Sequence, residues 1–192
     1  MNTALPSCAI ISSDSDNREE AIMAKVALFV DGAAMFYAQR DNQWHIDYRN
    51  VYHHFLDNQE KVGAWYFTAK PQPQNAEALG KYMRFKHALT QIGFSVKDKD
   101  VKVTFDRETG QTKVKGNLDI ELVFRMLSTI NAYEVAVLMG GDSDYIPIVQ
   151  HLVNNGKQVV IVGRRDSTAL ELINEATKFY NLEELREIIS KR

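Results

Sequence analysis

Acidic residues follow two apolar runs of the chain. Asp31 closes the run KVALFVD at 25–31, and Asp142 and Asp144 follow the run EVAVLM at 134–139 after two glycines. A short, nearly continuous apolar run is typical of a strand that is covered on both faces of its sheet. Carboxylate oxygens at the ends of such strands are ligands that hard divalent cations such as Mg²⁺ or Mn²⁺ prefer.

A third acid, Asp119, stands at the start of a predicted helix over 118–131. It lies three and four residues before Leu122 and Val123, in register with the apolar stripe of that helix, so we expect it to turn inward. Glu121 points elsewhere and stands four residues before Arg125, which is the spacing of a surface ion pair.

Each of these acids also has a plain structural interpretation. Asp31, Asp142 or Asp144 could cap a following helix, and Asp119 could favour the dipole of its own helix. Capping and helix dipoles explain less well why three separate segments of the chain would bring acids to the same edge of the sheet. Two carboxylates about 4 Å apart repel by about 4 kcal/mol at an effective dielectric constant of 20. Such a group needs a cation or shared protons, and we therefore predict a metal site.

The elements that would position these acids alternate between strands and helices. We predict strands at 25–31, 62–69, 94–98, 134–139 and 157–163, a hairpin at 101–116, and helices at 47–58, 74–93, 118–131, 145–156, 167–180 and 182–191. This alternation predicts an α/β fold, a three-layer α/β/α sandwich with a mostly parallel central sheet. Such sheets bind ligands beyond the carboxyl ends of their strands, where Asp31 and Asp142 would lie.

The composition limits the classes of function. The 192 residues carry 23 basic and 25 acidic side chains, so any surface for nucleic acid must be a local patch. We predict a disordered tail over 1–23 and one domain over 24–192. The single cysteine, Cys8, cannot form an internal disulfide, which is typical of the cytoplasm. No apolar run approaches the roughly 20 residues of a membrane helix, so we expect no membrane partner.

Other chemistries that use similar motifs lack their remaining parts. The GDS at 141–143 would need an Asp-x-x-His motif downstream to act as an esterase nucleophile, and no such motif surrounds His151. A calcium-binding EF-hand beginning at Asp142 would need a glutamate where Val153 stands. The chain has no glycine-rich phosphate loop or dinucleotide fingerprint, and its histidines do not have zinc-site spacing.

Four segments, taken in order, resemble one family. VALFVDGAAMFYA, KGNLDIELV, LMGGDSDYIPIVQHL and GKQVVIVG are similar to the LabA-like branch of the NYN domain family, which belongs to the PIN-like nucleases. The resemblance runs from about residue 25 to about residue 185. It implies a PIN-like fold, a Mg²⁺ or Mn²⁺ site and metal-dependent cleavage of RNA. The catalytic, metal-binding acids that it implies are Asp31, Asp119, Asp142 and Asp144.

Within this interpretation the first three acids hold the ion, and Asp144 completes the coordination shell or orients the attacking water. The predicted contacts to RNA, which we expect to be single-stranded, or to its phosphates are Lys115, Asn117, Ser143, Arg164 and Arg165. The two arginines lie beside a predicted helix N-terminus, which suits anions, although a solvated loop explains them equally well. Tyr37 and Tyr145 could stack on bases or pack in the core.

The chain departs from the family pattern at two positions. Ala34 stands where the family usually has asparagine, and Thr177 stands where it often has an acid. These departures leave open a regulatory protein with little catalysis that binds RNA or protein partners, in keeping with the link of the LabA-like name to circadian and gene-expression control. A homodimer and a phosphoesterase of small molecules are further alternatives.

Overall fold

The computed structural model describes residues 23–100 and 118–191, together with the strands at 102–105 and 112–115, whose side chains are not described. Residues 1–22 of the tail predicted over 1–23 lie outside the described residues. The side chain of Lys115 and the whole of Asn117 also lie outside them.

A six-stranded parallel sheet forms the centre of the molecule. The strands of this sheet and of a separate two-stranded hairpin are, in chain order, β1 (Lys25–Asp31), β2 (Glu60–Lys70), β3 (Ser95–Asp100), β4 (Lys102–Phe105), β5 (Thr112–Lys115), β6 (Val135–Met139), β7 (Gln158–Gly163) and β8 (Lys178–Asn181). The sheet has the order β3-β2-β1-β6-β7-β8, and all five neighbouring pairs are parallel. Strands β4 and β5 pair with each other as an antiparallel hairpin, as predicted for that segment.

Helices cover both faces of this sheet. They are α1 (Gly32–Asn42), α2 (Tyr48–Leu56), α3 (Ala76–Ile92), α4 (Asp119–Ser128), α5 (Ile146–Asn154), α6 (Leu170–Glu175) and α7 (Arg186–Ile189), with 3₁₀ turns at Ser143–Tyr145 and Leu182–Leu185. Successive side chains of β1 point to opposite faces. Leu28 and Val30 pack in one core with α1, α2, α3 and α7, whereas Ala27 and Phe29 pack in the other with α4, α5 and α6. The predicted three-layer sandwich is confirmed.

The C-terminal part of the chain differs from the prediction. The helix predicted over 167–180 spans only Leu170–Glu175, and the chain then becomes extended and forms the edge strand β8 beside β7. The Thr177 hydroxyl accepts a hydrogen bond from the Val159 N–H at 3.0 Å, which holds the start of this strand to β7. The β-branched and aromatic side chains of this segment favour a strand. The helix predicted over 182–191 is a 3₁₀ turn followed by the short α7.

Glu121 forms its ion pair with a residue other than the predicted Arg125. Glu121 binds Lys99 of β3, with 2.7 Å between Oε1 and Nζ, and the hydrogen bond from Lys99 lowers the pKa of Glu121. Arg125 instead lies over the ring of Trp65, 5.7 Å from its centroid. Glu121 is therefore a structural residue, as expected, although its partner lies in the sheet.

Among the residues that the structure describes, no helix has both the length and the apolar character needed to cross a membrane.

Candidate metal centre

The order of the strands reverses beside the central strand β1. The chain builds outward from β1 to β2 and β3 on one side, and from β6 to β7 and β8 on the other. Val30 of β1 pairs with Met139 of β6, so both strands end at the same edge of the sheet. Asp31 is the last residue of β1, and Gly140, Gly141 and Asp142 follow β6. Open α/β sheets bind ligands at such a reversal.

Three carboxylates meet at this edge. Asp119, Asp142 and Asp144 each offer one oxygen, and these oxygens all lie within 4.8 Å of one another. Asp119 is the first residue of α4 and is half-buried, because Leu118 and Leu122 on either side of it are buried in the core. Asp142 and Asp144 are exposed in the loop and 3₁₀ turn after β6.

The spacing of these oxygens fits a divalent cation. Ligands at the 2.0–2.1 Å typical of Mg²⁺ lie at most about 4.2 Å apart, so small side-chain rotations would bring the three oxygens into one coordination shell. Oxygen donors are also what Mg²⁺ and Mn²⁺ prefer. Asp119, Asp142 and Asp144 are therefore the residues that could hold such an ion.

Asp31 lies beside this group and is connected to it by Tyr145. Its Oδ1 accepts hydrogen bonds from the N–H groups of Ala33 and Ala34 at 2.9 and 3.0 Å, so it caps α1. Its Oδ2 lies 2.9 Å from the Tyr145 hydroxyl, which is also 2.9 Å from Asp119 Oδ1. Asp31 Oδ2 and Asp119 Oδ1 therefore both lie within hydrogen-bond distance of the same phenol oxygen.

Burial raises the pKa of both Asp31 and Tyr145. Desolvation raises the pKa of Asp31 above its usual value, and the Asp119 carboxylate adds to this rise, although the bonds from Ala34 and Tyr145 oppose it. Burial also raises the pKa of Tyr145, and the two carboxylates raise it further. Tyr145 therefore keeps its proton at neutral pH and acts as a donor. Its side chain is fully buried, so its predicted stacking on bases is wrong and the core alternative is confirmed.

Asp142 also caps the turn that it begins. Its Oδ1 accepts a hydrogen bond from the Asp144 N–H at 3.0 Å, and the exposed Ser143 hydroxyl lies 3.4 Å from the same oxygen. The capping interpretation of Asp31 and Asp142 is therefore confirmed. Capping does not exclude Asp142 from the acidic cluster, because its carboxylate also belongs to the group of three that meet there.

Gly141, the second glycine after β6, allows a close contact that the sequence does not reveal. A Cβ on Gly141 would lie 2.7 Å from Thr168 Oγ1 and 3.1 Å from Thr168 Cα. Thr168 is buried, and its hydroxyl donates to the Arg164 main-chain oxygen at 2.7 Å. The Ala169 N–H donates to the Gly141 oxygen at 3.0 Å. The loop after β7 is thereby packed against the loop that carries Asp142.

A cavity of about 650 Å³ opens beside the acids. Its polar lining includes Asp31, Asp119, Asp142, Asp41, Arg164, Ser167 and Thr168, and its apolar lining includes Ala34, Ala38, Phe67, Leu118 and Leu122. This space is much larger than one ion requires, so a larger ligand could approach the carboxylates.

The two predicted anion-binding arginines have different surroundings. Arg164 lines the cavity, and its guanidinium binds Asp41 at 2.9 Å and also Asp166. Arg165 is exposed, and its guanidinium lies 6.0 Å from the centroid of the Phe179 ring. The helix expected beside them begins only at Leu170. Arg164 is therefore next to the site but already bound to two acids.

Comparison with known proteins agrees with this geometry. The family model described as the NYN domain matches residues 25–183. The chain belongs to the NYN domain family. This NYN domain has the PIN-like α/β arrangement that the resemblance implied, with a cluster of acids at the reversal of its sheet.

Two relatives extend the comparison. The low amplitude and bright protein LabA of Synechococcus elongatus is 32% identical over 171 residues, which cover 88% of this chain and 89% of LabA. A crystal structure of a protein of unknown function from Vibrio parahaemolyticus has a TM-score of 0.71 at 19% identity and covers 89% of this chain and 99% of its own. The second similarity supports the fold alone.

Proposed function

We propose that this NYN domain is a Mg²⁺- or Mn²⁺-dependent ribonuclease that hydrolyses phosphodiester bonds of single-stranded RNA. The observation that carries this proposal is the meeting of three carboxylate oxygens within 4.8 Å of one another. They lie at the edge of the sheet where folds of this class bind ligands. The nuclease-like fold of the family supports the same activity.

The residues of the chain have distinct proposed roles. Asp119, Asp142 and Asp144 would hold the ion. When bound, a divalent ion polarises a phosphodiester and lowers the pKa of a bound water. Asp31 is the fourth acid of the site, and its Oδ2 is held next to Asp119 by the Tyr145 hydroxyl. Tyr145 thus orients two carboxylates that come from different elements.

The surroundings of the acids suit a polymer of phosphates. The cavity of about 650 Å³ leaves room for a nucleotide beside the ion site. Ser143 is exposed next to Asp142 and could donate to a phosphate oxygen, and Arg164 lines the cavity wall. Lys115 and Asn117, which precede α4, remain predicted phosphate contacts. A single domain over 24–192 and a cytoplasmic location complete the proposal.

A cleavage assay tests the proposal directly. Purified protein is incubated with labelled single-stranded RNA, with Mn²⁺ or with EDTA, and compared with Asp142→Asn. Asparagine keeps an oxygen that can cap the turn, so this variant should fold while losing a charged ligand. We expect cleavage that requires Mn²⁺ and falls at least 100-fold in Asp142→Asn. Equal cleavage by both proteins would assign the activity to a contaminant, and no cleavage of several RNAs would contradict the proposal.

A second candidate is a regulatory protein that binds RNA or a protein partner with little catalysis. Ala34 favours it, because its methyl group lines the cavity at the position where the family usually has an asparagine amide. Arg164 also favours it, because its guanidinium already binds Asp41 and Asp166. The variant Ala34→Asn separates the two candidates. A ribonuclease weakened by Ala34 should gain cleavage in this variant, whereas a regulatory protein should bind its partner and cleave no RNA in either form.

A further inference from the structure

Two aromatic side chains on α1 project into solvent beside the acidic cavity. Phe36 is 62% exposed and Tyr37 is 53% exposed, although Met35 and Ala38 on either side of them in the sequence are buried. Scattered apolar residues on a protein surface are ordinary. These two are instead adjacent and in contact, with ring centroids 5.6 Å apart and an interplanar angle of 76°.

A cation completes this surface. The Arg40 guanidinium lies 4.9 Å from the centroid of the Tyr37 ring, and its Nε donates to Asp41 at 3.0 Å. Asp41 in turn binds Arg164 across the cavity wall. The Arg40 guanidinium therefore lies over the ring and contacts the acid that also binds Arg164. We call the set of Phe36, Tyr37 and Arg40 the aromatic platform.

The platform is continuous with the candidate metal centre. Tyr37 lines the same cavity as Asp31, Asp119 and Asp142. Asp31 caps α1, and six residues of helix rise by about 9 Å, so Tyr37 lies about that far along the axis from the capping carboxylate. A nucleotide whose phosphate approaches the acids would have its neighbour within reach of the rings.

We propose that the aromatic platform is a stacking site for unpaired bases of RNA. The inference rests on the single-stranded RNA substrate of the proposed function and assigns the residues that hold its bases. Aromatic rings and arginine planes bind bases of any sequence, because every base presents a π-face. Phenylalanine, tyrosine and arginine are also enriched in interfaces between proteins, so a second copy of the chain is the alternative occupant that the test must exclude. A duplex fits less well, because its bases are already stacked.

Ala34 forms part of the cavity wall beside the platform. The Ala34 methyl group and the buried Ala38 lie on the cavity side of α1, next to Tyr37. They leave an apolar wall between the acids and the exposed rings. We therefore expect the bases to be held by stacking and apolar contact, with little discrimination between sequences.

Binding measured without cleavage tests this inference. The probes are a fluorescent single-stranded oligouridylate and an oligomer of the same length in which abasic riboses replace the nucleosides, so that the phosphate charge is equal. Binding is measured by anisotropy in EDTA and low salt. We expect the wild-type protein to bind the oligouridylate about tenfold or more tightly than the abasic oligomer.

Variants assign this preference to the platform. Phe36→Ala and Tyr37→Ala are solvent-facing changes to a good helix former, so they should fold, and each should reduce the preference at least threefold. Tyr37→Phe keeps the ring and should keep the preference. Phe124→Ala is the matched control, because Phe124 is 67% exposed on α4 and is not part of the cavity lining.

The outcomes separate the two proposals. An unchanged preference in Phe36→Ala and Tyr37→Ala would overturn the platform, even if cleavage still depends on Asp142. Equal binding of both probes by the wild-type protein would overturn it as well. So would a dimer in sedimentation that Phe36→Ala disperses, because the rings would then be covered by a second copy. A base preference that depends on the platform, in a protein that cleaves no RNA, would keep the stacking site and contradict the nuclease.

Discussion

Asp31 and Asp119 are joined through one side chain, because the phenol oxygen of Tyr145 lies 2.9 Å from a carboxylate oxygen of each. The two acids come from the end of β1 and the start of α4, so Tyr145 connects two separate elements of the fold. A phenol has one proton to share between these two acceptors. Burial raises the pKa of Tyr145 and keeps that proton in place. The spacing of the two acids is therefore defined before any ion binds.

Removing only this hydroxyl should weaken metal binding. Tyr145→Phe keeps the buried ring but removes the hydrogen bond to Oδ2 of the half-buried Asp31, which should lower the free energy of unfolding in EDTA by about 1–3 kcal/mol. Residues that orient metal ligands typically contribute 10- to 100-fold to affinity, so calorimetry should show Mn²⁺ affinity about tenfold lower.

Tyr133→Phe is the control for this variant. Its hydroxyl is also buried and donates to the Met126 main-chain oxygen at 2.7 Å, away from the acids. We expect Tyr133→Phe to lose stability but to bind Mn²⁺ like the wild-type protein. Unchanged Mn²⁺ affinity in Tyr145→Phe would show that Tyr145 does not position the acids.

Removing one charge from the cluster should separate stability from metal binding. Asp144 is exposed, so Asp144→Asn should leave the metal-free stability within about 0.5 kcal/mol or raise it slightly, because a repulsion between carboxylates is relieved. Mn²⁺ affinity should fall at least tenfold in calorimetry. Glu171→Gln changes an exposed acid of α6 outside the cluster and should alter neither quantity. Equal affinity in both variants would exclude Asp144 as a ligand.

The sequence predicts the acids better than it predicts their surroundings. The apolar runs of β1 and β6 mark buried parallel strands, and carboxylates directly after them must lie at one edge of the sheet. The helical period of α4 turns Asp119 toward the same edge. These are local patterns with a fixed geometric consequence, and the structure brings Asp119 and Asp142 together.

Contacts between distant segments leave no such pattern. Tyr145 can share its hydroxyl between Asp31 and Asp119 only because α4 packs against the turn after β6. From the sequence alone, the Tyr145 ring could either stack on a base or be buried in the core. No sequence pattern predicts that Thr168 packs on Gly141 or that Asp41 binds Arg164. The strand β8 has only four residues at the edge of the sheet, too few to show an alternation.

The close approach of Gly141 to Thr168 should make the larger side chain costly. In Gly141→Ala the new Cβ would lie 2.7 Å from Thr168 Oγ1 and 3.1 Å from Thr168 Cα, so the buried Thr168 must move. We expect a loss of about 1–3 kcal/mol in urea unfolding, together with weaker Mn²⁺ binding because Asp142 is displaced. Gly80→Ala is the control, because its nearest neighbour is the Arg84 guanidinium at 3.7 Å within α3, and it should gain about 0.5–1 kcal/mol. A similar gain in Gly141→Ala would contradict the packing described.

The pH dependence of stability should report an ionic contact between α3 and β3. The Asp98 carboxylate accepts hydrogen bonds from the Tyr82 hydroxyl and the Lys86 ammonium group. Partial burial raises the pKa of Asp98, but these two bonds lower it below the usual 3.8 overall. An acid whose pKa is lower in the folded protein stabilises it above about pH 3.8, and this contribution is lost as the pH falls through the folded pKa. Asp98→Asn should therefore lower the free energy of unfolding by about 1 kcal/mol at neutral pH, with a deficit that shrinks in acid. Asp100→Asn, whose side chain is 73% exposed beside Lys70, should change stability by less than about 0.5 kcal/mol. A deficit in Asp98→Asn that stays constant as the pH falls would show that the charge of Asp98 does not stabilise the fold.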